Sequence, residues 1–444
     1  MRRPAAAERT FMNCIIISPN FPANYRFFCD RLKRNGVNVL GIGDAPYDEL
    51  DDMLKSSLTE YYKVSTLEDY DQVFRAVAYL AFRHGKPDWI ESNNEYWLKL
   101  DAQLRRDFNV TTGVMPEQLS SWQSKSSMKP VYRAAGIPSA REHLVTDREA
   151  ALSFIDSIGG YPVFAKPDTG VGASDTFRIN NDEELSAFFE KKPDAQYIME
   201  EFVFGDIYSF DAVCDGNGEV LFESSFMCPN VAETVNDDQE MMYYVLPHVP
   251  SQLSDYGRRA IKAFNVTNRF IHFEFFRLRK DKKGLGKAGD FVGLEVNMRP
   301  AGGYTPDLIN YAHSIDVYQL WADLVTYGSR VIPETSPDRY CVFAGRKDSH
   351  PHTISDQDIL NKYGDVLMMH GRMPDALSLA MGNHMYVAVF DDFADVLAFG
   401  EYILEGKVPD FVTHYAAIAE QLCQRNSSAY NEKTPRAFRR GAVL

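Results

Sequence analysis

Residues 293–303, Gly293-Leu-Glu-Val-Asn-Met-Arg-Pro-Ala-Gly-Gly303, carry the pattern that decides the fold. Successive side chains of a β-strand point to opposite faces, so the pattern predicts that Glu295, Asn297 and Arg299 share one face. The other face is apolar and suits a protein core. Carboxylate and amide oxygens are ligands that Mg²⁺ prefers, and a guanidinium can hold a phosphoryl oxygen. The stretch therefore predicts a strand with a metal-binding and phosphate-binding face.

A second carboxylate lies upstream in another apolar stretch, His272-Phe-Glu274-Phe-Phe276. We predict strands at 271–278 and 291–298 that form a hairpin and bring Glu274 next to Glu295. Two carboxylates and an amide at one place make a site for one or two metal ions that bridge nucleotide phosphates. The connection contains Gly284-Leu-Gly-Lys-Ala-Gly289, which matches G-x-G-x-x-G. A dinucleotide fingerprint needs a helix after it, so we interpret this run as the hairpin loop.

Two lysines and a run of small residues precede the hairpin. Lys166 ends the predicted strand 161–167, and Gly170-Val-Gly172-Ala-Ser174 follows it. Small residues let backbone N–H groups approach a triphosphate, and a nearby lysine neutralises it. Lys125 lies at the start of a predicted helix at 124–135. A single lysine is more often a solvated surface charge, but this order ahead of the hairpin favours phosphate binding for both.

Between these regions, Ile198-Met-Glu-Glu-Phe-Val203 combines an apolar strand with two acids. An adenine base needs backbone donors and acceptors along an extended segment and apolar groups on both ring faces. This segment can supply both. It is a candidate adenine-binding hinge.

The amino-terminal part has the pattern of an α/β domain. Cys14-Ile-Ile-Ile-Ser18 predicts a strand, a helix follows at 25–35, and 37–42 predicts the next strand. This order is typical of a parallel sheet. Gly41-Ile-Gly43 lacks the third glycine of a dinucleotide fingerprint. We therefore predict an α/β domain at 12–118 that lacks a nucleotide motif of its own.

Composition excludes several classes of function. The net charge is -15, which argues against nucleic acid or an anionic membrane as partner. The six cysteines form no C-x-x-C pair, and scattered thiols suit a reducing cytoplasm. The first eleven residues lack the apolar stretch of a secretory signal, and no apolar run is long enough to span a membrane. Neither a Walker A pattern nor H-E-x-x-H is present, so P-loop ATPases and zincins are excluded. We expect a cytoplasmic protein.

Taken in order, these segments resemble the ATP-grasp superfamily over roughly residues 120–310. The resemblance implies an α/β protein with an ATP-grasp fold at 119–330, a small lid subdomain at about 125–198 and a Rossmann-like domain before it. It also implies a carboxy-terminal subdomain at 331–444 that packs on the ATP-grasp core. The run E-x-N-x-R-P-x-G-G with H-F-E-F before it is the specific part of the match.

The resemblance assigns roles to individual residues. It implies ATP binding by Lys125, Lys166, Gly170, Gly172, Ser174, Glu200, Glu201, Phe202 and Val203. It implies metal binding by Glu274, Glu295 and Asn297, and stabilisation of an acyl phosphate by Arg299. His272, Gly302 and Gly303 are substrate-binding candidates. Ile207 stands where many relatives carry a ribose-binding glutamate, and Ser124 stands where an aspartate is usual.

The function implied is that of an ATP-dependent carboxylate–amine ligase. ATP and Mg²⁺ or Mn²⁺ would activate a carboxylate as an acyl phosphate, which the amine of an amino acid attacks. The alternatives are an enzyme similar to carboxylases or carbamoyl-phosphate synthases, or a nucleotide-binding regulatory protein without turnover. We expect small-molecule substrates and a homodimer. Two segments are candidates for the acceptor pocket: 233–250, with Tyr243, Tyr244 and His248, and 346–352.

Overall fold

A computed structural model describes residues 12–170, 175–333 and 338–419. The amino-terminal part forms a parallel sheet in the order β3-β2-β1-β4. Its strands are β1 (Asn13–Ile17), β2 (Asn38–Gly43), β3 (Glu60–Lys63) and β4 (Trp89–Glu91). Its helices are α1 (Arg26–Arg34), α2 (Asp52–Ser57), α3 (Tyr70–His84) and α4 (Leu98–Asp107).

The strand β1 is apolar along its length because helices cover both faces of this sheet. Cys14 and Ile16 belong to the cluster that contains α1, whereas Ile15 and Ile17 belong to the cluster that contains α3. A parallel strand covered on both faces has this continuous apolar pattern. The predicted βαβ start is therefore confirmed.

Two helices and a small antiparallel sheet follow. The helices α5 (Leu119–Gln123) and α6 (Lys125–Ala134) come first. The sheet has the order β5-β8-β6-β7. Its elements are β5 (Glu142–Leu144), α7 (Arg148–Ile158), β6 (Val163–Pro167), β7 (Phe177–Ile179), α8 (Asp182–Lys191) and β8 (Tyr197–Glu201). This unit has its own apolar core, in which both helices pack against the sheet. We call it the small sheet.

The rest of the chain forms a large sheet, in the order β14-β13-β9-β11-β12-β15-β17-β16 with β10 paired to β9. Its strands are β9 (Gly205–Cys214), β10 (Val220–Ser224), β11 (Phe226–Cys228), β12 (Met242–Val245), β13 (Arg269–Leu278), β14 (Phe291–Asn297), β15 (Tyr340–Arg346), β16 (Leu367–Arg372) and β17 (His384–Phe390). The helices are α9 (Val231–Asn236), α10 (Ser251–Ala263), α11 (Thr305–His313), α12 (Val317–Tyr327), α13 (Asp356–Tyr363), α14 (Asp375–Met381) and α15 (Phe393–Ile403), with a further helical segment at 410–419.

The last three strands continue the large sheet, because β15 pairs with β12 along Met242–Val245. The sequence predicted strands in this region but did not predict that they join the same sheet. Both faces of β15 are buried, since Val342 and Phe343 belong to different apolar clusters. The carboxy-terminal segment therefore shares the core of the sheet that carries the carboxylates Glu274 and Glu295.

The predicted hairpin is confirmed. β13 and β14 pair in antiparallel fashion, with Glu274 directly opposite Glu295 and His272 opposite Asn297. A register shift follows Glu274. The G-x-G-x-x-G run lies in the connection between the two strands, as predicted.

Helix α6 packs closely on β14 because residue 293 is a glycine. A Cβ at Gly293 would lie 2.9 Å from the ring of Tyr132 in α6, so a side chain there would displace the helix. The Gly293 N–H also donates to the Pro138 carbonyl at 2.7 Å. This packing places the first turn of α6 beside the carboxylates of the hairpin.

Among the described residues, no helix has the length and the apolar character needed to cross a membrane.

Candidate active site

One cavity of about 1290 Å³ lies between the small sheet and the large sheet. Fourteen of the residues predicted from the sequence line it: Lys125, Lys166, Gly170, Glu200, Glu201, Phe202, Val203, His272, Glu274, Glu295, Asn297, Arg299, Gly302 and Gly303. Gly172 and Ser174 lie outside the described residues. The structure thus brings residues from five separate stretches of the sequence to one place.

The hairpin presents two carboxylates side by side. Cβ atoms of directly opposite residues in an antiparallel pair lie about 5 Å apart, so Glu274 and Glu295 repel each other unless a cation is near. Burial would raise the pKa of Glu274, but the hydrogen bond and charge of His272, with Arg299 and Lys166, hold it below its ordinary value. Both groups are therefore positioned to act as anionic ligands.

His272 is held between two acids. Its Nδ1 lies 3.0 Å from Asp211 Oδ1, and its Nε2 lies 3.1 Å from Glu274 Oε1. The ring stacks on Phe226 with centroids 5.3 Å apart. Burial opposes the charged form, but Asp211 and Glu274 outweigh it and raise the pKa of His272 to about 9. A ring with both nitrogens engaged orients Glu274 rather than offering a free base.

Lys125 occupies the first position of α6, and its ammonium has only long contacts. Nζ lies 3.5 Å from Glu295 Oε1 and 3.5 Å from the Gly170 carbonyl oxygen. Asp168, which follows β6, ties this helix start to the small sheet. Its carboxylate accepts hydrogen bonds from the Ser124 hydroxyl at 2.8 Å and from the Ser126 N–H at 2.7 Å. Position 124, where an aspartate is usual, is thus a serine, and its hydroxyl is hydrogen-bonded to Asp168 of the small sheet.

A lysine that the sequence analysis missed, Lys129, completes a three-membered group. Glu200 lies between Lys129, at 2.6 Å, and Lys166, at 2.8 Å. Burial would raise the pKa of Glu200, but the two lysines lower it to about 2. Burial lowers the pKa of Lys129, whereas Glu200 and Glu295 raise that of Lys166. The available signal was spacing, since residues four apart share one face of a helix and Lys129 follows Lys125 by four.

The predicted adenine segment divides into two parts. The side chains of Glu200 and Glu201 are engaged in ion pairs, the latter with Arg141 at 2.7 Å. Strand β8 ends at Glu201, so Phe202 and Val203 form the linker to the large sheet, and they line the cavity. The linker 202–203, rather than the two paired carboxylates, is therefore the part of the predicted segment that is available to a ligand in the cavity.

Arg299 lies beyond the end of β14, so the prediction that it shares the strand face with Glu295 is wrong. The strand ends at Asn297, because the chain turns there toward Pro300, whose carbonyl accepts a hydrogen bond from Arg299 Nη1 at 2.8 Å. Arg299 still lines the cavity. Burial raises the pKa of the nearby Glu95, and the positive charge of Arg299 offsets only part of that rise.

Glu95 is a second residue that the sequence analysis missed. It comes from the amino-terminal part, and its Oε2 accepts a hydrogen bond from the Met298 N–H at 3.3 Å. It also lines a small cavity of about 100 Å³ together with Glu295 and Asn297. No motif surrounds Glu95 in the sequence, so only the folded structure reveals its place.

The glycines after Arg299 shape the opposite end of the cavity. Gly303 has a φ of +61°, and a Cβ there would lie 2.8 Å from Met381 Sδ. Its carbonyl accepts a hydrogen bond from Asn24 Nδ2 at 3.0 Å. Gly302 has open space around it. A side chain at 303 would block the approach to the cavity wall formed by α14.

Only some of the candidates for the acceptor pocket line the cavity. Tyr243 and His350 line the cavity. Tyr244 points to the other face of the sheet and packs on Phe393. The side chain of His248 is 67% exposed beside Asp338. Asp238 and Glu240 line the cavity beside His350, although no sequence motif marked them.

Ile207, which stands where many relatives carry a ribose-binding glutamate, lines the cavity. The adjacent Asp206 is buried and engaged, since it accepts a hydrogen bond from Arg279 Nε at 2.8 Å and lies 2.6 Å from His414 Nδ1. The acidic group nearest to Ile207 in sequence is thus part of an internal ion-pair network.

Comparison with known proteins agrees with this fold. No family model matches the chain. A curated relative, the L-arginine-specific L-amino acid ligase of Bacillus subtilis, is 21% identical over 327 residues, which cover 71% of this chain and 76% of that protein. The crystal structure of L-amino acid ligase from Bacillus licheniformis superposes with a TM-score of 0.67 at 14% identity, covering 89% of this chain and 97% of that one.

The structure of N5-carboxyaminoimidazole synthetase from Staphylococcus aureus has a TM-score of 0.64 at 15% identity, covering 90% of this chain and 99% of that one. The neighbours span nearly their full length on this chain, so the likeness concerns the whole architecture rather than one sheet. The chain therefore has the ATP-grasp fold that its sequence motifs predict.

Proposed function

We propose that this protein is an ATP-dependent ligase that joins a small-molecule carboxylate to the amine of an amino acid and releases ADP and phosphate. The observation that carries the proposal is the pairing of Glu274 with Glu295 in one cavity with Lys125, Lys166 and Arg299. Two acids and three cations around one space match the charges of a triphosphate with its metal and of an acyl phosphate.

The nucleotide is proposed to lie with its base at the linker 202–203 and its phosphates toward Lys125 and Lys166. The Gly170 carbonyl oxygen lies 3.5 Å from Lys125 Nζ, so both residues border the space proposed for the phosphates. Structural neighbours include a carboxylase domain crystallised with MgADP and N5-carboxyaminoimidazole ribonucleotide synthetases crystallised with ADP. The shared fold supports the same placement here.

The metal site fits Mg²⁺ or Mn²⁺. The donors are the carboxylates of Glu274 and Glu295 and the amide of Asn297, which are oxygen ligands. Within the described ranges, no group of three or more His, Cys, Asp and Glu side chains could hold a metal ion by itself. Mg²⁺ usually keeps several waters and binds through one or two carboxylates plus substrate phosphates, so a partial donor set is what it needs. When bound, the ion neutralises charge on the phosphates.

The reaction proceeds in two displacements. A carboxylate oxygen attacks the γ-phosphorus, the bond to the β-phosphate oxygen breaks, and ADP leaves. The amine nitrogen then attacks the acyl carbon, the C–O bond to phosphate breaks, and the amine proton passes to solvent or phosphate. Lys125 and Lys166 hold the phosphates, and Arg299 is the catalytic residue that stabilises the charge on the transferred group. A preorganised cation in a water-poor site is worth several kcal/mol, roughly a hundredfold or more in rate.

An amino acid is the proposed amine because the curated relative is named for L-amino acid ligation. One of the two alternatives has support among the structural neighbours. Several neighbours are carboxylase-type enzymes by name, so bicarbonate is the alternative carboxylate. A regulatory protein that only binds nucleotide is less consistent with a cavity that holds both carboxylates and Arg299.

The test is product identity in a substrate screen. The full chain with Mg-ATP is incubated with pools of amino acids, other carboxylates and bicarbonate, and nucleotides are resolved by chromatography. We expect ADP and phosphate in equal amounts, and a hydroxamate when hydroxylamine replaces the amine. AMP and pyrophosphate would overturn the acyl-phosphate route, and bicarbonate-dependent ADP release without amide would favour the carboxylase-type alternative.

A further inference from the structure

A mixed acid–base cluster lies at the end of the cavity beyond Gly303. It consists of Asp238, Glu240, Lys347 and His350, and we call it the distal cluster. His350 Nδ1 lies 3.2 Å from Glu240 Oε1, and its Nε2 lies 3.1 Å from Asp238 Oδ2. Lys347 Nζ lies 2.7 Å from Asp238 Oδ1. Three of these residues, Asp238, Glu240 and His350, line the cavity.

One of the two carboxylate oxygens of Glu240 has no hydrogen-bond partner among the described residues. The residue is 5% exposed, and its Oε1 accepts a hydrogen bond from the Lys347 N–H at 3.4 Å and lies 3.2 Å from His350 Nδ1 and 2.9 Å from His352 Nε2. Oε2 is buried and accepts no hydrogen bond from any described residue. A buried polar group without a partner costs on the order of 1–3 kcal/mol, and more when charged. A donor from a ligand would remove that cost.

The neighbouring cations do not neutralise Oε2. The ammonium of Lys347 is directed to Asp238. His352 faces Glu240 Oε1 at 2.9 Å and Glu405 at 3.9 Å, and Arg346 directs its guanidinium to the Ile403 and Ile354 carbonyls. Glu233 adds a further acid to the cavity wall. The end of the cavity is thus anionic toward its interior.

The position of Glu240 on the sheet indicates which part of a substrate reaches it. Glu240 precedes β12, and three inter-strand steps, β13 to β9 to β11 to β12, separate that strand from the one that carries Glu274. At about 4.8 Å per step, the strands lie roughly 14 Å apart. A group bound at Glu240 is therefore too far from the metal ligands to be the reacting carboxylate or the attacking nitrogen, which must meet within about 3.5 Å.

The wall between these two points is apolar. Leu377, Ala380 and Met381 of α14 line it on one side, and Tyr243 lines it on the other. Such a wall suits the methylene stem of a long side chain, since Lys and Arg bury their stems along apolar surface while the charged end remains in polar surroundings. Gly302, which also lines the cavity, has open space around it for such a stem.

We propose that Glu240 binds the cationic end of a basic amino-acid side chain, an ammonium or a guanidinium, and so selects lysine- or arginine-like substrates. This inference rests on the proposed function and names the substrate class of the same site. The distal cluster determines specificity and takes no part in phosphoryl transfer. His350 and Lys347 hold Glu240 and Asp238 in place.

The experiment compares cationic substrates with neutral ones of the same shape. Arginine is paired with citrulline and lysine with norleucine, and each is supplied first as the carboxylate, with hydroxylamine as nucleophile, and then as the amine. In the wild type we expect kcat/KM to favour the cationic member of at least one pair by tenfold or more. In Glu240→Gln, which keeps the shape and the Oε1 acceptor, that ratio should fall to within about twofold.

Glu233→Gln is the matched control, because it removes an exposed acid from the same cavity wall and should leave the ratio unchanged. The arginine and lysine arms distinguish a guanidinium from an ammonium, and the hydroxylamine arm distinguishes the carboxylate substrate from the amine substrate. A ratio near one in the wild type, or a ratio that survives Glu240→Gln, overturns the assignment of Glu240. A wild type that releases no ADP with any pair overturns the proposed function instead.

Discussion

Two groups of charged residues differ in how completely they are paired. The first joins the amino-terminal sheet to the large sheet. Glu91 Oε2 lies 2.8 Å from Arg105 and 2.7 Å from Arg269, and Arg269 Nη1 donates to the Met298 carbonyl at 2.7 Å. The remaining donors of Arg105 reach the Ile90 and Val114 carbonyls. We call this the interdomain cluster.

The second group lines the cavity, and its charges are loosely paired. Lys125 has no contact in the structure described here that is shorter than 3.5 Å from its ammonium, Glu274 faces Glu295, and Glu240 Oε2 accepts nothing from a described residue. Glu91, Arg105 and Arg269 are buried, whereas Glu274 and Glu295 are half-buried in the cavity. The charges of the interdomain cluster have their counter-charges within the chain, whereas Lys125, Glu295 and Glu240 leave polar atoms available to a ligand.

The largest expected effect comes from the loosely paired group. Glu295→Gln keeps the shape of the side chain and removes one anionic metal ligand, which also misplaces the γ-phosphate. We expect kcat/KM to fall about a thousandfold, equivalent to about 4 kcal/mol, with little change in the urea midpoint. Steady-state ADP release and urea unfolding measure the two quantities on one preparation.

Asn297→Ala should follow the same pattern, since it removes the amide ligand of the same site. Near-normal turnover of Glu295→Gln at ordinary Mg²⁺ concentrations would show that the metal assignment is wrong. A large loss of stability in that variant would contradict the comparison, because Glu295 would then stabilise the fold as Glu91 does.

The interdomain cluster should show the opposite behaviour. Glu91→Gln leaves Arg105 and Arg269 buried without their counter-charge, and removal of one partner from a buried pair costs about 3 kcal/mol or more. Burial would raise the pKa of Glu91, but Arg269 and Arg105 keep it below its ordinary value, so the group is charged across the working pH range. We expect a lower free energy of unfolding, measured by urea titration.

Glu219→Gln is the control, because Glu219 forms an exposed pair with Lys262 at 3.8 Å, and such pairs contribute at most about 1 kcal/mol. If Glu91→Gln and Glu219→Gln lose equal stability, the buried ion pairs of the interdomain cluster do not stabilise the fold. Activity per folded molecule should stay within a few-fold in both.

The same distinction explains what the sequence could predict. The hairpin was predictable because its signal is local: alternation along two strands and a glycine-rich end place Glu274 opposite Glu295. The order of the motifs along the chain then identified Lys125 and Lys166 as candidates for phosphate binding. Residues such as Lys129, Glu95 and Glu240 stand in no motif, and their roles follow from pairings across 71 to 107 residues or more, such as that of Lys129 with Glu200 and of Glu240 with Lys347.

Arg299 shows the limit of a correct local rule. Alternation predicted its face, but the strand ends two residues before it, and a strand end depends on what the chain meets next. The continuation of the large sheet through β15 was equally hidden, since strand pairing between Met242–Val245 and residues a hundred positions later leaves no periodic signal. Local patterns thus predicted the elements, and long-range pairing set their arrangement.

The smallest expected effect concerns Asp101, a second buried acid that interacts with Glu91 and Arg105 of the interdomain cluster. Burial, and then the charge of Glu91, raise the pKa of Asp101 to about 7. Its Oδ2 accepts hydrogen bonds from the Ser92 N–H at 3.0 Å and the Ser92 hydroxyl at 2.6 Å, whereas Oδ1 has no hydrogen-bond partner among the described residues. Asparagine would keep the acceptor and place a neutral amide nitrogen at the other position.

The folded chain holds the Asp101 proton more tightly than the unfolded chain does, so protonation favours the fold. The stability from this group is fully present below pH about 4, the ordinary range of an aspartate, and is lost as pH rises through about 7. Asp101→Asn mimics the protonated form at every pH, so its advantage over the wild type should be larger at pH 8 than at pH 5, by about 1–2 kcal/mol. Urea unfolding of both proteins at the two pH values measures that difference. An advantage independent of pH would mean that Asp101 does not titrate in this range, and a loss at pH 8 would mean that its charge is a needed partner of Arg105.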